Sequence, residues 1–226
     1  MQQVSSSGVP PSPGWGQIRR TIKADSGSFT HVTVAGQTII AVCNDNTVNA
    51  YDAVTGALKL SLDAPHRVAK AEGSPDESIL FFAGQNAREI TTWDMQTGGL
   101  IYTLTTTFEI SNIAVSSKGK YLASCSSAGT FHFWEVESRR EGSHSLSQEI
   151  GYSMCWLEPE DQIALVSNWT WAVVILEVTT GKKLRAIHVG WRWDVQAFAF
   201  KSTSSESFGY FGVFKCDFCF TDIFHS

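Results

Sequence analysis

Cys216-Asp217-Phe218-Cys219, with His225 downstream, has the Cys-x-x-Cys form that can hold zinc through thiolate and imidazole ligands. A structural zinc site needs four ligands, usually with a second pair at matched spacing. Only these three candidates sit here, so free thiols are the simpler account and no metal is expected. Asn168-Trp169-Thr170 fits the glycan-acceptor pattern, which matters only in a secreted chain. The six histidines, at 31, 66, 132, 144, 188 and 225, are scattered, and none recurs beside a nucleophile along the chain. There is no Gly-x-x-x-x-Gly-Lys-Ser/Thr phosphate loop, no Gly-x-Ser-x-Gly nucleophile turn and no His-Glu-x-x-His zinc helix. Glu158-Pro159-Glu160-Asp161 is an acidic run that reads as a solvated loop. These residues point away from catalysis: a chain that is not an enzyme and carries no cofactor is expected. The chemistry left to it is recognition.

The composition fits that reading. With 226 residues, 43% of them hydrophobic and 17% charged, the chain can bury a core and has the balance of a globular protein. A formal net charge of −5 argues against nucleic acid or an anionic membrane as the partner. Cys43, Cys125 and Cys155 lie in apolar runs, where buried free thiols are expected. The opening MQQVSSSGVPPSPG has no apolar or basic region of a secretory signal, so residues 1–14 are read as a disordered tail. No run approaches the roughly 18 apolar residues of a membrane span. An intracellular location, cytoplasmic or nuclear, follows as the expectation.

The elements that must position any binding residues repeat along the chain. Asp52-Ala53-Val54-Thr55-Gly56, Asp94-Met95-Gln96-Thr97-Gly98 and Glu177-Val178-Thr179-Thr180-Gly181 share one shape, with a weaker copy at Glu135-Val136-Glu137-Ser138-Arg139. In chain order the acidic residues lie 42, 41 and 42 residues apart. A large aromatic precedes three of them, at Tyr51, Trp93 and Trp134, and Leu176 precedes the fourth. A strand-like run follows at Leu58–Leu62, Leu100–Leu104 and Leu184–Ile187, and two more runs stand upstream in each unit. Ile79–Ala83 and Trp171–Leu176 are apolar on both faces, which suits a sheet sandwiched between other sheets. Four strands in each ~40–45 residues is the spacing of β-propeller blades.

Through Trp93-Asp94, Trp134-Glu135, Tyr51-Asp52, the Asp-x-x-Thr-Gly turns and the period, the chain resembles the WD40 repeat family from about Gly16 to Phe200. The resemblance implies an all-β, WD40-like β-propeller that serves as a non-catalytic scaffold for other proteins. The family's turn Asp, six residues before the aromatic, is matched by Asp45 but replaced by Ala87, Ala128 and Thr170 in later units. The Gly-His dipeptide that usually opens a repeat is missing, so the family's Asp–His–Ser–Trp hydrogen-bond network is not expected.

The units run about 29–65, 66–107, 108–148 and 149–189, giving four complete blades within a propeller region of residues 15–201. Gly16–Ile22 reads as a lone strand from a preceding blade, and a partial fifth blade begins at Trp191. Residues 202–226 hold FGYFGVFKCDFCFTDIFHS, with six of the fourteen Phe, and read as an aberrant or partial-blade segment. Two outcomes stand: a ring of five blades, or a truncated piece of a larger ring. An open ring would expose an apolar edge for self-association. The functional alternatives to a scaffold are a truncated fragment without autonomous function and an enzyme built on a propeller.

Binding residues are expected on the loops that join second to third strands and one blade to the next, since loops on rigid scaffolds carry most function. Asp45, His66, Arg67, Arg88, Trp169, Trp191 and Arg192 are the candidates for partner contact. Trp and Arg dominate interface hot spots, although a Trp in a propeller can equally pack between blades.

Overall fold

A computed structural model describes residues 21–22, 28–126, 128–145, 153–157, 162–167, 172–188, 195–202 and 207–213. The first sheet contains β1 (Phe29–Ala35), β2 (Thr38–Cys43), β3 (Thr47–Asp52) and β4 (Leu58–Asp63). The second contains β5 (Val68–Gly73), β6 (Ile79–Gly84), β7 (Glu89–Asp94) and β8 (Leu100–Thr105). The third contains β9 (Asn112–Val115), β10 (Tyr121–Cys125), β11 (Thr130–Glu135) and β12 (Glu141–Ser145). The fourth contains β13 (Ser153–Leu157), β14 (Gln162–Ser167), β15 (Ala172–Glu177) and β16 (Lys183–His188). A two-stranded sheet of β17 (Val195–Ser202) and β18 (Ser207–Val213) follows. Every strand pairs antiparallel with its neighbour in sequence. No helix among the described residues is long and apolar enough to cross a membrane.

Each four-stranded sheet falls inside one of the units read from the 42-residue spacing. The first strands of successive sheets are neighbours, β1 beside β5, β5 beside β9, β9 beside β13 and β13 beside β17. The result is a propeller-like arrangement of all-β sheets. Residues 207–213, from the segment read as aberrant or partial-blade, form β18 against β17. The lone strand expected over Gly16–Ile22 falls largely outside the described residues.

Period-two alternation explains where the core sits. Adjacent side chains on a strand point to opposite faces, so a strand apolar at every position feeds two interfaces. On β6, Phe82 packs with Ile40, Val42 and Val48 of the first sheet, while Phe81 packs with Ile113, Leu122 and Trp134 of the third. On β11, Phe131 turns to Ile163, Leu165 and Val174 of the fourth sheet. The core is therefore a series of layers between sheets.

The turn chemistry is local. Asp52 Oδ1 accepts from the Val54 and Thr55 N–H groups at 3.1 and 2.6 Å, and Asp94 Oδ1 from Gln96 and Thr97 at 2.8 and 2.7 Å. The chain then needs a left-handed residue, supplied by Gly98 (φ 71°) in the second unit. A Cβ there would also come within 2.8 Å of Leu62 on the first sheet. In the third unit Arg139 takes this conformation at φ 58°, with its guanidinium 4.2 Å from the centre of the Tyr102 ring on β8.

A different device joins the first two sheets. Glu77, in the β5–β6 turn, is left-handed at φ 61°, and its carboxylate reaches the β1–β2 turn. It accepts from the Gln37 N–H, the Thr38 hydroxyl and Lys59 Nζ, each at 2.6 Å. Those hydrogen bonds, Lys59 foremost, hold its carboxyl at about 2. The Trp93 indole donates to Thr91 at 2.9 Å and that of Trp156 to the Ala114 carbonyl at 3.0 Å, while the buried Thr92 and Ser124 hydroxyls have no hydrogen-bond partner.

Candidate functional site

One end of the sheets carries the β2–β3 and β6–β7 turns together with the connections from β4 to β5 and from β8 to β9. Antiparallel pairing brings them there, because Val68 at the start of β5 lies opposite Gly84 at the end of β6. Backbone bonds then fix the loops. The Gln85 N–H donates to the Arg67 carbonyl at 2.8 Å, Thr106 to Arg88 at 2.7 Å, and Ile110 to Ala87 at 2.9 Å. Asn86 closes the β6–β7 turn in a left-handed conformation, φ 56°. Main-chain bonds thus hold the loops, helped by the Thr106 hydroxyl, which donates to the Arg88 and Phe108 carbonyls at 3.2 and 2.6 Å.

His66, Arg67 and Arg88 all lie exposed on this end. Neither arginine has an ion pair or side-chain hydrogen bond among the described residues. Asp45 is also exposed here, but its carboxylate is occupied: it accepts from the Thr47 N–H at 3.0 Å and the Thr47 hydroxyl at 2.6 Å. Its visible work is to cap the β2–β3 turn, an Asx arrangement of the kind that sets tight turns. Trp169, Trp191 and Arg192 lie outside the described residues. So do Cys216, Cys219, His225, Asn168-Trp169-Thr170 and the acidic run at 158–161.

Between the β4–β5 connection and the second sheet lies a shallow cleft, open to solvent, with room at its bottom for about one water molecule. Val68 and Phe82 form its floor, Ala64, Pro65 and Ala87 its walls, and His66 and Glu89 its polar rim. Thr91, also at the cleft, has its hydroxyl engaged by the Trp93 indole. The cleft is too shallow to enclose a small ligand, so what it offers is a surface with apolar side chains at its centre and polar ones at its edge. Sequence reading singled out His66 but not Glu89, Phe82 or Val68. The floor residues read as ordinary core, and Glu89 had no motif around it.

Two polar groupings lie elsewhere, the first buried at Ser124 and His132 and the second half-buried. On β10 and β11, Ser124 stands opposite His132, whose Nδ1 is 2.7 Å from Glu141 Oε1 without the alignment of a hydrogen bond. These are the residue types of a hydrolytic triad, but Ser124 is 0% exposed, so its hydroxyl is shut away from any substrate. Among the described residues no three His, Cys, Asp or Glu side chains converge as metal ligands. The second grouping joins β1 to β5. His31 Nε2 is 3.2 Å from the Ala71 carbonyl, and the Thr33 hydroxyl donates to Glu72 Oε2 at 3.3 Å. Burial drives the Glu72 carboxyl up to about 7, against the pull of the Thr33 hydrogen bond and the Lys70 charge. Burial, aided by Lys70, also lowers the His31 imidazole from its ordinary value, while its bond to Ala71 acts the other way.

No protein-family model matches the chain, and no curated protein matches it.

Proposed function

We propose that this chain is a WD40-like β-propeller that acts as a scaffold, without catalysis, and holds a partner protein at the cleft between its first two sheets. The cleft is the single observation that carries this reading. It sets an apolar floor, Val68 and Phe82, beside loops that bear Arg67 and Arg88, two arginines without ion pairs that adjoin the lining residues in the chain but are not among them. Arginine gains more from an interface than other charged residues, because its long apolar stem buries area while its guanidinium keeps donors in reach of a partner. The 42-residue turns and the packing of first strand against first strand support the propeller reading.

The test is selection of peptides from a displayed random library on the full chain, followed by titration of a selected peptide against variants. Arg67→Glu with Arg88→Glu should weaken binding at least tenfold, the ~1.4 kcal/mol scale of one good interface anchor, and leave the urea midpoint unchanged. Failure to select any peptide, or peptides whose binding ignores both arginines, would reject the cleft as the docking site. Light scattering of the same preparation separates a folded monomer from an open fragment that aggregates through its edge.

A further inference from the structure

Each four-stranded sheet ends on its fourth strand, and β4, β8, β12 and β16 bond no further strand among the described residues. Such an edge offers open N–H and C=O groups to any other strand, and proteins commonly guard it with charged residues or proline. β4 carries Lys59 and Asp63, β12 carries Glu141, and β16 carries Lys183 and Arg185. β8 reads Leu-Ile-Tyr-Thr-Leu-Thr and has no such guard. From Met95 to Phe108 the chain holds neither a charged residue nor a proline. The edge is also open. The Thr106 N–H bonds the Arg88 carbonyl at 2.7 Å, and Leu104 lies opposite Ile90. Bonded pairs alternate along an antiparallel ladder, so Leu104 spends its backbone groups on β7 while Thr103 and Thr105 turn theirs outward. Both threonines are exposed, and Leu100 and Ile101 are 55% and 43% exposed.

We propose that the outer edge of β8 is a dimer surface, where two copies of this chain join their second sheets by pairing β8 with β8, antiparallel about a two-fold axis. The occupant is a second copy because the strand is its own complement. In a pairing centred on Thr103, that residue meets its own copy, Ile101 meets Thr105, and Tyr102 meets Leu104. Pairs of β-branched, aromatic and aliphatic side chains are the ones that stabilise neighbouring strands, and no like charges are brought together. β16 paired in the same way about Arg185 would set that residue against itself. Each chain has one unguarded outer strand among the four described sheets, so a two-fold pairing uses it up and the assembly stops at two. This surface does not rest on what the cleft binds.

The experiment is sedimentation velocity of the full chain between about 1 and 300 μM, the range suited to a small interface. It compares the parent with Thr103→Lys, Thr103→Glu and an equimolar mixture of the two variants. The parent should pass from monomer to a discrete dimer across that range. Either variant alone should weaken dimerisation about tenfold or more, because like charges meet at the axis. The mixture should recover it, since Lys then meets Glu, and a substitution that merely disturbed the fold would not be rescued in this way. A parent that stays monomeric throughout, variants that associate as the parent does, or a mixture that fails to recover overturns the proposal. Should the variants fail to fold, amide exchange in the parent keeps the test open. The Thr103 and Thr105 amides should gain protection as the concentration rises, and unchanged rates overturn the pairing.

Discussion

Replacing Glu77 by Ala should destabilise the chain by about 2 kcal/mol at pH 7, through loss of the link between the first two sheets. The figure is built from the contacts. Glu77 gives up a hydrogen bond to the Gln37 N–H and one to the Thr38 hydroxyl, both at 2.6 Å, each worth about 1 kcal/mol net. Its ion pair with Lys59 adds only about 0.5 kcal/mol, because the two side chains keep 25% and 41% of their surface in water and the pair is screened. Ala at a left-handed position carries the same backbone strain as Glu, so the change reports on the side chain alone.

The pH dependence sharpens the test. Folding lowers the Glu77 carboxyl from 4.5 to about 2, so its contribution is present above 4.5 and is lost as the pH falls through 2. By linkage, somewhat less than half, about 40%, remains at pH 3. Urea unfolding of the parent, Glu77→Ala and Lys59→Met at pH 7 and pH 3 measures both features. The Glu77 gap should shrink to less than half at the lower pH, and the Lys59 effect should be the smaller of the two at pH 7. A Glu77 gap under about 0.5 kcal/mol at pH 7, or one that is the same at both pH values, would refute the reasoning.

Two further outcomes are expected. Gly181→Ala should cost about 1–3 kcal/mol of stability in the same unfolding assay, since φ is +69° there and a Cβ would fall 2.6 Å from the His144 ring on the third sheet. Burial pushes the Cys125 thiol up to about 12, so alkylation of the folded chain at pH 8, mapped by peptide mass, should spare Cys125 and modify the partly exposed Cys155 faster than the buried Cys43 and Cys125.

What the sequence disclosed was what neighbouring residues decide among themselves. The Asp52 and Asp94 turns were legible because the carboxylate bonds the backbone two and three residues on. The limits of the four sheets followed from the same turns. Ile79–Ala83 announced its two-faced burial by being apolar throughout. The links across sheets were not legible, because Glu77 meets Gln37, Thr38 and Lys59 at separations of 40, 39 and 18 residues. Likewise His31 met the Ala71 carbonyl, and Thr33 met Glu72, only once β1 lay beside β5. Asp45 lies exposed where its position suggested, and its carboxylate also holds the turn by bonding Thr47 two residues on. Of the cleft, only His66 was visible beforehand, since nothing in an isolated Phe82 or Glu89 says that an opening will form between them.

The serial packing of the sheets has a mechanical consequence. Successive sheets touch through their first strands and through the side-chain layers between their faces. Free energy in such an array divides into the intrinsic terms of the units and the couplings between nearest neighbours, a one-dimensional system whose cooperativity is set by its weakest coupling. Among the described sheets, a fault in the second separates the first from the third, whereas a fault in the fourth leaves the first three joined. Damage should therefore propagate outward from the faulty unit, and the block that melts first marks the joint with the smallest coupling energy.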